Sequence, residues 1–144
     1  MDDDVLTRLR QAVSRLAREL NTTATDEGLT PTQASTLGVI ARRGPISLSE
    51  LARVERLNPT MLSRVIAKLD GAGLIARTPR PEDQRRALVE VTPQGRATST
   101  RIRNNRTKEV AHAAESLPPA QQHLLTEAVP ALEALFEQLR AREP

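Results

Sequence analysis

The chain contains no cysteine. A disulfide framework, a thiolate zinc site and a thiol redox switch are therefore excluded. Aromatic residues make up 1% of the 144 positions, with one Phe and neither Trp nor Tyr. A core must then be built from Leu, Ile, Val and Ala, which suits helices better than a β-sandwich. No apolar run approaches the roughly 20 residues that span a bilayer. Met1 is followed by Asp2, Asp3 and Asp4, not by the basic start and apolar stretch of a secretory signal. A cytoplasmic protein without membrane contact is expected. There is no Gly-rich phosphate loop, no nucleophile elbow and no recognisable carboxylate pair, so no catalytic residues, no cofactor and no enzyme activity are expected. His112 and His123, without Cys or a nearby carboxylate pair, make a poor zinc site, and no metal is expected.

What is present supports a folded domain. The apolar fraction is 38% and the charged fraction 27%, and the length fits one compact domain with or without helical extensions. Lys plus Arg is 21 against 18 Asp plus Glu, a net charge of +3. The sequence pI near 10.5 exaggerates that excess, because almost nothing in this chain titrates between pH 8 and 10. The placement of the arginines decides more than their sum.

The spacing of apolar residues predicts six helices and a hairpin. From about Asp4 to Asn21, Leu6, Leu9, Val13, Leu16 and Leu20 form a narrow seam, suited to packing within the domain or against a partner helix. Residues 21–30 read as a connector. Thr30-Pro31 starts a second helix, which Gly44-Pro45 stops. Ile46 is a short extended piece. Ser47 caps a third helix, with Glu50 placed to complete a capping box. Asn58-Pro59 starts a fourth, with Leu62, Val65, Ile66 and Leu69 inward and Gly71 and Gly73 at its end. Residues 74–78 read as a short strand and 87–92 alternate as a second, around a long, basic, Pro-stiffened tip. A fifth helix runs from Pro93 to about Ser116, and a sixth follows Leu117-Pro118-Pro119, with a kink expected near Glu127 from Pro130.

Helix, short strand, helix, tight turn, helix and wing is the winged helix-turn-helix order. The outward face of the fourth helix carries Thr60, Ser63, Arg64, Ala67 and Lys68. Small residues, hydroxyls and long cations suit close approach to a major groove. They also occur on any solvated helix; it is the turn before them and the wing after them that favour the first reading. In the wing, Arg80, Arg85 or Arg86 suits a minor groove. Asp83 is expected to pair with Arg77 or Arg85 and steady the loop.

The runs Leu29–Gln33, Ser47–Ala52 and Thr60–Leu69, with Gly73-Leu74-Ile75, closely resemble the multiple-antibiotic-resistance regulator (MarR) family. So does Asp83-Gln84-Arg85, seven residues before Thr92 and followed by Gly95, with Val91 where the family has Leu. The resemblance implies a homodimer intertwined through the first helix and the last two, bound to pseudo-palindromic double-stranded DNA. It implies release by a small-molecule effector held between the dimerisation and DNA-binding regions. By matched position, Thr60, Ser63 and Arg64 enter the major groove, and Arg85 the minor groove with Asp83 steadying it. The family's thiol-sensing branch is excluded, and the scarcity of aromatics weakens the case for a stacked aromatic ligand.

The expected fold is mainly α, an α+β winged helix with a helical dimerisation region. Residues 1–29 form a dimerisation helix, 30–95 the DNA-binding domain and 96–144 further dimerisation helices. The expected DNA-binding set is Ser47, Asn58, Pro59, Thr60, Met61, Ser63, Arg64, Lys68, Arg77, Arg80, Asp83, Arg85 and Arg86. The expected dimer contacts are Leu6, Leu9, Val13, Leu16, Leu124, Leu132, Leu135, Phe136 and Leu139. The arginines gather in the fourth helix, the wing and the start of the fifth helix, as one basic face. The expected function is a homodimeric, ligand-relieved repressor. The alternative is a winged-helix interaction module whose basic face meets an acidic protein.

Overall fold

The computed structural model describes residues 1–142; residues 143 and 144 of the expected 96–144 segment lie outside the described residues. The chain falls into two compact units, residues 1–106 and 107–144.

The first unit opens with helix α1 (Asp3–Asn21), whose first turn is acidic and whose N-cap Asp2 accepts the Val5 N–H at 2.9 Å. None of its residues is buried. The expected connector is instead a 3-10 helix, Thr22–Glu27. Its backbone bonds are local, while Glu27 at its end is also held by Arg101. The Thr22 hydroxyl donates to the Glu19 carbonyl at 2.8 Å, and Gly28, at φ +74°, donates to the Thr25 carbonyl at 3.0 Å. Thr and Asp favour such short-range bonding over longer helix.

Helix α2 (Pro31–Arg43) starts in a full capping box between Thr30 and Gln33. Strand β1 (Ile46–Ser47) leads into α3 (Leu48–Glu55). Here the hydroxyl half of the expected box forms, Glu50 N–H donating to Ser47 Oγ at 3.2 Å, while the Glu50 carboxylate lies 3.8 Å from Arg53. Helix α4 spans Pro59–Gly71, followed by β2 (Ile75–Thr78), a 3-10 turn (Gln84–Arg86) and β3 (Leu88–Val91). The sheet is antiparallel in the order β1-β3-β2, with Ile46 opposite Val89 and Ile75 opposite Val91. The wing is thus a hairpin with a short third strand added at its β3 edge.

Helix α5 (Pro93–Glu115) leaves the sheet through Thr92. The Thr92 hydroxyl donates to the Gly73 carbonyl at 2.7 Å and accepts the Gly95 N–H at 3.0 Å. A Cβ on Gly95 would overlap the Leu74 carbonyl. This close approach gives the Thr-x-x-Gly pattern its physical meaning. Leu37, Ile40, Leu51, Ile66, Leu69 and Val89 are fully covered, and Leu29, Ile46, Leu62, Leu74, Ile75 and Ile102 complete the core. Burying each such side chain favours folding by roughly 1.5–3 kcal/mol.

The second unit holds the end of α5 and helix α6 (Pro119–Ala141). Ser116 and Leu117 close α5 by donating to Ala113 and Ala114, and Gln121 and Gln122 donate to the Pro118 carbonyl at the start of α6. Helix α6 runs as one helix through Pro130, with no buried residue. Among the described residues no helix is long and apolar enough to cross a membrane, and no cluster gathers three or more metal-ligating side chains.

Candidate nucleic-acid interface

Helix α4 is presented by a tight turn. Arg56 closes α3 in the left-handed conformation, φ 55°, and the Leu57 N–H returns to the Ala52 carbonyl at 3.1 Å. Asn58 then caps α4, its side-chain oxygen accepting the Met61 N–H at 2.8 Å, and Pro59 occupies the first turn. Leu62, Val65, Ile66 and Leu69 are buried, which fixes the roll of the helix. Thr60, Met61, Ser63, Arg64, Ala67 and Lys68 are consequently exposed along the opposite side. The caps occupy one oxygen each of Ser47 and Asn58. The Asn58 amide and the Ser47 hydroxyl hydrogen remain donors.

In the wing, Asp83 accepts the Arg85 N–H at 3.0 Å and Arg85 Nε at 3.4 Å. Of its two expected partners, Asp83 therefore takes Arg85. The Arg85 backbone N–H contributes most to holding the Asp83 carboxyl below its ordinary value of 3.8; its guanidinium and the nearby Arg86 lower it further. The tip is closed by Asp83 N–H to the Arg80 carbonyl and Arg86 N–H to the Asp83 carbonyl. Arg85 keeps 83% of its side chain exposed, so it is steadied at Nε while its outer nitrogens stay accessible. Arg77, Arg80 and Arg86 are exposed around it.

A cleft of about 340 Å³ lies between α3, α4 and the wing. Leu48, Ala52, Leu62 and Ile66 give it an apolar lining, and Pro59, Ser63, Arg77 and Arg85 line it too. Four residues of the expected DNA-binding set thus surround one cavity. Sequence spacing could not reveal this, because the wing's fold over α3 is a tertiary contact.

One expectation fails. The arginines at the start of α5 do not all extend the basic face. Arg96 Nη1 donates to the Ala41 carbonyl, Arg101 pairs with Glu27, and Arg106 Nε donates to the Leu20 carbonyl. Charge counting along a helix cannot tell an arginine aimed at DNA from one tied to a neighbouring element.

The expected dimer residues lie on exposed stripes. On α1, Leu6, Val13 and Leu16 are 45–62% exposed and Leu9 is half-buried. On α6, Leu124, Leu132, Leu135, Phe136 and Leu139 are 40–66% exposed, and Arg140 sits 5.8 Å from the Phe136 ring centre.

Comparison with known proteins agrees with this geometry. A profile described as the MarR family matches residues 29–87. An HTH-type transcriptional regulator of Mycobacterium bovis, Mb0904, is 31% identical over 130 residues, covering 90% of this chain and 91% of that protein. The crystal structure of RV1404 from Mycobacterium tuberculosis superposes with a TM-score of 0.75 at 31% identity, covering 93% and 94% of the two chains. Staphylococcus aureus MarR, solved in complex with salicylate and kanamycin, shares the fold at 16% identity, with a TM-score of 0.81 over 97% of this chain and 93% of that one. Winged helix, exposed α4 face and near-full-length relatives converge, and the chain belongs to the MarR family of DNA-binding transcriptional regulators, which are not enzymes.

Proposed function

We propose that the chain acts as a homodimer that represses transcription by occupying a pseudo-palindromic operator, and that a small-molecule effector releases it. The observation that carries the reading is that α4 exposes Thr60, Met61, Ser63, Arg64 and Lys68 and the wing tip exposes Arg80, Arg85 and Arg86, with Ser63 and Arg85 lining one cleft between them. In this reading Arg64 meets base edges in the major groove and Arg85 enters the minor groove, steadied by Asp83. Ser47, Asn58, Pro59 and Arg77 lie at the helix starts and wing base, where backbone and side-chain donors suit phosphates.

The exposed leucine stripes of α1 and α6 support the dimer. Apolar faces without cover in their own unit gain by burial against a second copy. Two protomers related by a twofold axis would set their recognition helices about 34–36 Å apart, on two half-sites one turn apart. The effector reading is supported by the α3–α4–wing cleft, whose volume of about 340 Å³ lies within the usual range for small-molecule sites; it sits within the DNA-binding region, not between that region and the dimerisation helices, where the resemblance puts an effector. An anionic ligand there would compete with DNA for Arg77 and Arg85.

The test is a gel shift and footprint on the region upstream of the protein's own gene, at stated salt, with sedimentation of the free protein. A dimer in solution, a footprint of two half-sites one turn apart and raised transcription on gene deletion are expected. A monomer protecting one half-site would overturn the dimer reading. Unchanged transcription would overturn repression.

A further inference from the structure

Arg96, Arg101 and Arg106 recur along α5 at intervals of five residues. That interval turns each about 140° from the last around an α-helix, so they reach three different segments. Arg96 reaches the last turns of α2, through the Ala41 carbonyl at 3.4 Å. Arg106 reaches the end of α1, through the Leu20 carbonyl at 3.2 Å. Arg101 makes the strongest contact. Its Nε and Nη2 donate to the two carboxylate oxygens of Glu27 at 2.8 and 3.2 Å, and Nη2 also donates to the buried Thr98 hydroxyl at 3.0 Å. A two-pronged pair of this kind fixes direction as well as distance.

The placement matters because α1 has no buried residue. Deep apolar packing within its own unit does not set the direction of this helix. Its C-terminal end is held by polar contacts to α5: directly by Arg106, and through the 3-10 helix by Arg101 and Glu27. We propose that Glu27, Arg101 and Arg106 are positioning residues for DNA recognition. They set the angle at which α1 leaves the winged helix and hence, in a dimer built on α1, the separation of the two recognition helices. This inference rests on the homodimer reading above. None of the three needs to touch DNA.

The experiment measures half-site spacing. The probes are a duplex selected by the wild-type protein from a genomic pool, and the same duplex with one or two base pairs inserted at or removed from its centre. Each base pair shifts a half-site by about 3.4 Å and rotates it by about 35°. Wild type is expected to prefer the selected spacing by about tenfold or more. Glu27→Gln removes a negative charge, so long-range electrostatics alone would tighten DNA binding. A positioning role predicts the opposite: affinity for the selected spacing falls by about 2- to 30-fold, and the dependence on spacing flattens. Arg106→Gln is expected to flatten it as well, and the exchanged pair Glu27→Arg with Arg101→Glu to restore part of the preference. Sedimentation of each variant as a dimer separates this effect from failed assembly. Retention of the wild-type spacing preference by both single variants would overturn the inference while leaving the dimer intact. A wild-type protein that is monomeric and indifferent to spacing would overturn both.

Discussion

Arg64 and Arg85 are both exposed arginines, and the proposed function gives them different work. Arg64 stands on a helix whose roll is fixed by four buried neighbours, so its guanidinium is delivered at a defined angle, as pairing with a base edge requires. Arg85 stands on a tip held by Asp83, where charge and reach count more. Arg64→Ala is expected to cost about 1–3 kcal/mol of binding and to relax preference at one position of the half-site. Arg85→Ala is expected to weaken binding across sequences and to lower the salt slope by about 1. Titrations at several salt concentrations on single-base variants of the selected duplex distinguish the two. Glu27 supplies a pH signature. The hydrogen bond from Arg101 is the largest influence and, with that residue's charge, holds its carboxyl below the ordinary 4.5, against an opposing effect of burial. A folded pKa below the unfolded one means the contact stabilises above pH 4.5 and is lost as pH falls through the lower, folded value. Glu27→Gln should therefore unfold at lower urea than wild type at neutral pH, with the gap closing on acidification.

At the scale of elements, α2, α3 and α4 depend on one small core. Leu37 is fully covered at its centre, and Leu37→Ala is expected to cost about 2–5 kcal/mol in urea unfolding. These elements were legible in the sequence because each carries its own punctuation: Thr30-Pro31, Ser47, Asn58-Pro59 and the paired glycines at 71 and 73. The inward face of α4 followed from the spacing of Leu62, Val65, Ile66 and Leu69. What was illegible depends on partners distant in the chain. Ile46 becomes a third strand because Val89 lies opposite it. The close approach of Gly95 to Leu74, the cleft between α3 and the wing, and the inward reach of Arg96, Arg101 and Arg106 are tertiary facts with no local pattern. The 3-10 helix at Thr22–Glu27 was missed because Thr and Asp suit turns and short helices alike.

At the scale of the whole molecule, the first unit exposes the α1 stripe and the basic surface and the second exposes the α6 stripe, and the proposed dimeric DNA binding would use both kinds of surface. Introducing Leu132→Asp together with Leu135→Asp on α6 would place charge on the stripe. Sedimentation should then show a monomer, and affinity for the two-half-site duplex should fall on the order of a hundredfold or more with the linkage of the half-sites lost. The net charge of +3 fits this organisation. The first thirty residues and the stretch after Glu109 are net acidic, and the basic excess lies between them. Part of that excess is spent on internal clamps in α5, so in the proposed function the surface offered to DNA is α4 and the wing. The most direct measurement is an equilibrium titration, at fixed salt, of a duplex selected from a genomic pool and of a random duplex of equal length, with the wild-type protein and the Arg64→Ala, Arg85→Ala double variant. The wild-type protein is predicted to prefer the selected duplex by about a thousandfold or more, and the variant to lose most of that preference. Equal affinity of the two proteins for the selected duplex would contradict recognition through α4 and the wing.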